Sequence, residues 1–260
     1  MGILNITPDS FSDGNRFISY DNALKHCEVM LREGADIIDI GGESSRPGAL
    51  PVSEQEELDR ILHISEAIYK NFQCCISVDT YKSRVSDECL KVGASMINDI
   101  YGLTKEPQIA ETVAKYNAGL CLMHMRGNPE IMQKDTLYSD ILTEINDFLI
   151  NKADYAISKG VKTESLLLDP GIGFGKSVED NLKILNNLGL FSERFNVLIG
   201  TSRKSFIGSV LNKDADQRLY GTISSNVVSL MNGAIVFRVH DVKEHRDALD
   251  LAFEILKAGK

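Results

Sequence analysis

Asp79, Asn98 and Asp169 each stand at or next to the end of a short apolar run, and together they could bind a flat polar ring. Two carboxylates and one amide supply the acceptors and donors that a 2-amino-4-oxo pyrimidine edge demands. Taken singly, each is more simply a loop cap or the partner of an arginine; three at the ends of apolar runs favour a ligand. Cationic side chains come from Arg46, Arg203, Lys204, Arg238 and His240. Arg238-Val239-His240 turns two of them to one side of an extended segment, because side chains alternate along a strand. With Arg46 and a metal ion held by Asn5, that pair could hold a diphosphate. Alternation separates Arg203 from Lys204, so a salt bridge is the expected role of Arg203. His26, His63 and His245 are expected to be solvated, and His124 to be a satisfied interior histidine rather than a base.

Gly171-Ile172-Gly173-Phe174-Gly175-Lys176-Ser177 invites a phosphate-loop reading that its spacing defeats. A P-loop needs glycine where Pro170 stands, and a dinucleotide fingerprint needs glycine where Lys176 stands. The glycines are instead expected to let the backbone approach a flat ligand, with Phe174 packing beside it. No H-E-x-x-H zinc motif and no Ser-His-Asp order is present.

The elements that must position these residues recur regularly. Apolar runs end at Asn5, Gly41, Asp79, Asp99, His124, Asp169, Gly200 and Arg238, and each gap is long enough for a helix. Eight buried strands releasing functional groups at their C-terminal ends describe a single (β/α)8 TIM barrel with its active site at that face. Helices are expected near 21–33, 82–92, 107–117, 139–159, 178–188, 216–232 and 241–257. Another starts at Ser53, where Ser53-Glu54-Gln55-Glu56 reads as a capping box. Gly34, Gly93, Gly119, Gly160 and Gly233 precede strands and fit left-handed helix caps. The long connections Thr7 to Ser19, Gly42 to Val52 and Met125 to Leu137 should cover or complete the site, the first two as mobile loops.

The 260 residues suit one barrel domain, 1–260, with no linker or composition shift. No apolar run spans a bilayer and no leader is recognisable, so no membrane partner is expected. A net charge of -9 argues against nucleic acid, while leaving room for a local cationic pocket. Five cysteines without a pairing framework imply a reducing, cytoplasmic setting. Packing accounts for the adjacent Cys74 and Cys75.

The segments Gly2-Ile3-Leu4-Asn5-Ile6-Thr7-Pro8-Asp9-Ser10-Phe11-Ser12-Asp13-Gly14 and Gly41-Gly42-Glu43-Ser44-Ser45-Arg46-Pro47-Gly48 resemble the two signatures of the dihydropteroate synthase family. Ser77-Val78-Asp79-Thr80, Ile97-Asn98-Asp99, Met123-His124-Met125, Leu168-Asp169-Pro170-Gly171, Ser202-Arg203-Lys204-Ser205 and Arg238-Val239-His240-Asp241 extend the similarity along the chain. The resemblance implies a cytoplasmic homodimer that joins 6-hydroxymethyl-7,8-dihydropterin diphosphate to 4-aminobenzoate in folate synthesis, by an SN1-like loss of diphosphate. It implies that Asp79, Asn98, Asp169 and Lys204 hold the pterin, with Met123 and Arg238 against the ring. It makes Asn5 the ligand of Mg2+, and Ser45, Arg238 and His240 the diphosphate contacts. Phe11, Arg46, Pro47, Phe174 and Ser205 would surround the aminobenzoate, and Lys204, Arg238, His240 and Arg46 would be catalytic. Ser45 stands where threonine is common and Ile172 where phenylalanine is common; both should be tolerated. The chain begins at its first strand, without the segment that covers the barrel bottom in the family, which bears on stability more than on chemistry. A methyltetrahydrofolate:corrinoid methyltransferase would not need the Ser-Ser-Arg-Pro or Ser-Arg-Lys-Ser segments. A non-catalytic pterin-binding paralogue would be free to lose Asn5, Arg46, Lys204 or His240, and all are present.

Overall fold

A computed structural model describes residues 1–6, 16–45, 48–127 and 136–259. Phe11, Arg46 and Pro47 lie outside the described residues, as do most of the first long loop and part of the third. Eight parallel strands pair in sequence order: β1 (Gly2–Asn5), β2 (Ile37–Gly41), β3 (Cys75–Asp79), β4 (Met96–Asp99), β5 (Gly119–Met123), β6 (Leu166–Asp169), β7 (Asn196–Ile199) and β8 (Ala234–Phe237). The sheet closes on itself just beyond β8. Ile3 N donates to Val239 O at 3.1 Å, and Val239 N donates to Met1 O at 2.9 Å.

Around the barrel run α1 (Arg16–Arg32), α2 (Glu54–Phe72), α3 (Ser83–Lys91), α4 (Ile109–Tyr116), α5 (Ile141–Ser158), α6 (Val178–Asn186), α7 (Ser205–Leu211), α8 (Leu219–Met231) and α9 (Val242–Ala258). Their apolar stripes meet the outer face of the strands. Ile61 and Ile68 of α2, Val113 of α4 and Leu149 of α5 are buried against Ile38, Ile40, Ile76, Val78 and Ile97. Such both-sides-covered strands favour apolar residues at nearly every position, which is why the runs are near-continuous rather than alternating.

Inside the barrel a smaller apolar cluster, Met1, Met96, Cys121, Leu167, Leu198 and Val236, plugs the lower lumen. Period two then dictates what crowns it: two residues above Met96 is Asn98, above Cys121 is Met123, above Leu167 is Asp169, and above Val236 is Arg238. The polar ring thus rests on an apolar plug of the same strands. One irregularity tunes this phase. Val197 pairs with Ala234 but Leu198 with Val236, so Ile235 has no residue opposite it.

Several local expectations are corrected. Ser53 Oγ accepts from Glu56 N at 3.2 Å, but the Glu56 carboxylate turns to Arg60 at 2.5 Å instead of closing a capping box. The full box is at Ser177 and Asp180, heading α6. Gly34, Gly93, Gly160 and Gly233 have the positive φ expected of caps, whereas Gly119 opens β5 and Asn117, at φ 53°, caps α4. α7 was not anticipated from the sequence. No described helix is long and apolar enough to cross a membrane.

Candidate active site

The strand register sets the crown of the barrel side by side. Asn5 pairs with Gly41, Gly41 with Asp79, Asp79 with Asn98, and Met123 with Asp169. Asp79, Asn98, Met123 and Asp169 are all buried. Arg238 is the cation that organises them. Its Nε donates to Asp39 Oδ2 at 2.6 Å and its Nη2 to Asp79 Oδ2 at 2.9 Å. Asn98 Nδ2 also reaches Asp39 Oδ2, at 3.5 Å, the limit of a hydrogen bond. Asp39 is a site residue the sequence reading passed over. It is fully buried in the middle of β2, and its second oxygen has no hydrogen-bond partner. A charge inside an otherwise apolar strand was the available signal, since burying it demands a partner.

Burial pushes the Asp79 carboxyl up to about 7, opposed by Arg238 and reinforced by Asp39. Burial opposes the charge of Arg238 too, yet Asp39 and Asp79 outweigh it and hold its proton more firmly than usual. Asp169 is likewise raised by burial, against the pull of Lys204. Its Oδ1 accepts from Gly171 N at 2.7 Å. Asp99, adjacent to Asn98 but on the opposite face, is a loop clamp: it accepts from Tyr101 N and Leu103 N at 2.8 and 2.7 Å.

Lys204 precedes α7, and its ammonium donates to Ile172 O while standing 4.7 Å from the Phe174 ring centre. Burial brings it down to about 8, with Asp169 working in the other direction. Ser205 is exposed at the first turn of α7. His240 shares a 2.8 Å hydrogen bond between Nδ1 and Ser202 Oγ, and Ser202 Oγ also accepts from His240 N at 3.2 Å. Ser45 and Asp79 line one small cavity with Thr80 and Tyr81. Arg203 forms the expected salt bridge, with Asp241, at 2.5 Å.

Gly171, Gly173 and Gly175 all have positive φ, but their close approach is to the protein itself. A Cβ on Gly171 would stand 1.9 Å from His124 O, and one on Gly175 would stand 2.9 Å from Arg126 O. Beneath this loop the buried Lys176 donates to His124 Nδ1 at 3.1 Å, His124 O at 3.3 Å and Phe174 O at 3.0 Å. Burial lowers Lys176 to about 7 and, with the nearby Lys176 charge, His124 to about 3. His124 is therefore the satisfied, neutral histidine expected. His26 and His63 are exposed as expected, but His245 is not: α9 buries it, with Nδ1 at 2.6 Å from Asp241 O.

Asn5 closes β1 at the same mouth. A Cβ on Gly41 would stand 3.5 Å from Asn5 Oδ1 and 3.8 Å from Asp79 Oδ2, so the glycine keeps open the space these oxygens share. Hard oxygen donors of this kind suit Mg2+, which takes one or two protein ligands and fills its octahedron with phosphate and water. Among the described residues, no three His, Cys, Asp or Glu side chains gather into a metal cage.

Fold and site define a (β/α)8-barrel enzyme whose binding groups crown the C-terminal ends of its strands. The family model of the pterin binding enzymes matches residues 1–240. The dihydropteroate synthase of Clostridium beijerinckii is 46% identical over 259 residues, 99% of this chain and 94% of its own. A Yersinia pestis dihydropteroate synthase in complex with a sulfonamide drug superposes with a TM-score of 0.92 at 45% identity, covering 99% and 94% of the two chains. One from Clostridium difficile, solved in the presence of pteroic acid, gives 0.93 at 43% identity over 98% and 95%. The chain belongs to the pterin-binding enzymes and, among them, to the dihydropteroate synthases.

Proposed function

We propose that this chain, acting as one domain, condenses 6-hydroxymethyl-7,8-dihydropterin diphosphate with 4-aminobenzoate, giving 7,8-dihydropteroate and diphosphate. The observation that carries the reading is the buried set Asp79, Asn98 and Asp169 at the same barrel mouth as the cations Arg238, Lys204 and His240. The acidic floor matches the donor-rich edge of a pterin, and the cations match the leaving diphosphate. Pteroic acid, present with the C. difficile relative, joins a pterin to an aminobenzoate.

In this mechanism the bond between the pterin methylene and the diphosphate oxygen breaks first, its electron pair leaving with diphosphate. The positive charge left behind spreads over the dihydropterin ring, where Asp79 and Asp169 stabilise it through charged hydrogen bonds. The aniline nitrogen then donates its lone pair to the methylene carbon and loses a proton to solvent. Arg238 and His240 receive the charge of the departing diphosphate, with Ser45 contributing a hydroxyl and Arg46 a further cation. Lys204, fixed over Phe174, contacts the ring and bounds the aminobenzoate pocket with Ser205, Phe11 and Pro47; Met123 packs on the ring. Asn5 would hold Mg2+, which when bound neutralises diphosphate charge.

We also infer a cytoplasmic homodimer. Free cysteines fit a reducing compartment. Apolar side chains exposed on α7, α8, α9 and β8, including Val210, Tyr220, Met231, Ile235 and Phe253, fit a second copy. The deciding assay is diphosphate release that requires both substrates and Mg2+. Release from the diphosphate substrate alone, at the same rate, would overturn the reading.

A further inference from the structure

Behind the crown lies a second buried charge cluster that the mechanism does not use. Lys82, just before α3, places its ammonium 2.5 Å from Glu43 Oε2 and 2.5 Å from Glu57 Oε2. The side chains of Lys82 and Glu57 are only 6% and 1% exposed, whereas that of Glu43 is 15% exposed. Lys82 and Glu57 thus form a fixed pair inside the fold, joining α2 to the β3–α3 connection. Glu43 is the partner delivered by the loop after β2.

Glu43 does more than pair with Lys82. Its carboxylate also accepts from Tyr81 Oη at 3.0 Å and from Val52 N at 3.1 Å. Val52 stands at the far end of the same loop, so one side chain ties both ends of that loop to the residues that follow Asp79. Arg60 Nη1 adds a bond to Gly42 O at 2.6 Å. Glu43, Glu57 and Ser45 line one cavity with Asp79, so the cluster reaches Ser45, one of the groups assigned to diphosphate. Two carboxylates compete for one ammonium here. Burial raises Glu57, while Glu43 and Glu57 together hold the proton of Lys82 against burial.

We propose that Lys82 is a positioning residue that latches Glu43 and so sets Ser45 against the end of β3. For what Ser45 meets there, the proposal rests on the functional reading above. A charged hydrogen bond of this kind is worth about 1.5–3 kcal/mol, which corresponds to an effect of about tenfold or more.

The test compares Glu43→Gln, Lys82→Met and Glu57→Gln in the full chain, by amide hydrogen exchange and by kinetics. Glu43→Gln and Lys82→Met should speed exchange in the Val52 segment about tenfold and raise KM for the dihydropterin diphosphate by about as much. Affinity for the same pterin without its diphosphate should hold within about twofold, because the ring contacts are untouched. Glu57→Gln leaves the Lys82–Glu43 pair standing and should keep the Val52 protection. Should Lys82→Met fail to fold, Glu43→Gln and Glu57→Gln decide the matter alone. Unchanged exchange at Val52 in Glu43→Gln overturns the latch, as does equal loss of affinity for both pterins. If the unaltered chain released no diphosphate, the functional reading would fail, while the exchange data would still judge the latch.

Discussion

Arg238 Nη2 donates to Asp79 Oδ2 at 2.9 Å, joining residues 159 positions apart in the chain. The carboxylate read as the acceptor for the pterin edge is thus also the counter-ion of the cation read as the diphosphate contact. Whatever protonates Asp79 loosens both assignments together.

Asp79 should therefore make ligand binding depend on pH. Burial holds its carboxyl up at about 7, so pterin affinity should rise as pH passes upward through that value. Asp79→Asn should abolish pterin binding at every pH, and Asp169→Asn should do the same, because each offers a donor where the ring needs an acceptor. Calorimetry between pH 6 and 8.5 checks both; undiminished affinity in either variant would exclude the pocket. Stability has the opposite trend. Between the ordinary 3.8 and about 7, folded Asp79 keeps a proton that the unfolded chain has lost. Its contribution to stability thus falls across that window and is level above it. Melting curves of Asp79→Asn should lack this decline.

Lys204 sets the alkaline limb. With burial bringing its ammonium down to about 8, turnover should fall above that pH as the charge is lost. Lys204→Met should lower kcat/KM by roughly a hundredfold, the scale of removing one stabilising donor, and flatten the limb. A pH profile of Lys204→Met that keeps its alkaline fall would assign that limb to another group.

Gly171→Ala should destabilise the fold by about 3 kcal/mol or more, combining a strained backbone with a steric collision. Its φ is 70°, and the added carbon would lie 1.9 Å from a backbone oxygen that has no side-chain freedom. Denaturant midpoints measure this. Gly48→Ala serves as the control: it shares a positive φ, at 81°, but a Cβ there meets nothing within 4 Å.

Sulfonamides should compete with 4-aminobenzoate, as the complex of the Y. pestis relative suggests. The Phe174 ring, held beneath Lys204, offers a wall for either aromatic ring. Steady-state kinetics with sulfamethoxazole should give a competitive pattern. An inhibition constant far above the KM for 4-aminobenzoate would refute the expectation.

The strands were legible because burial on both faces leaves a run such as Ile37-Ile38-Asp39-Ile40 little freedom to be anything else. α7 was not, because seven residues containing Gly208 carry too short a period to register. Asn98, Asp169 and Arg238 could be found because they stand at or next to strand ends, where a polar residue breaks an apolar run. Asp39, Lys82 and Lys176 could not be found that way, since their partners come from distant segments and no spacing records the pairing. His245 looked solvated because helix periodicity reports a polar position without saying what the fold lays over it.

Ile235 gives the site a dependence on chain length that its own side chain does not reveal. It is 55% exposed and faces no partner, yet Ala234 below it and Phe237 above both pack outward, three positions apart. Regular pairing continued upward from Ala234 would instead turn Phe237 into the lumen and Arg238 out among the helices. The unpaired residue acts as a frameshift that is corrected before Arg238 is reached. Deleting it restores a continuous ladder and leaves Arg238 inward, whereas one added residue between Ile235 and Arg238 removes the guanidinium from the site. For relatives aligned across β8, a gap at this position is compatible with a working barrel, and an insertion just after it is not.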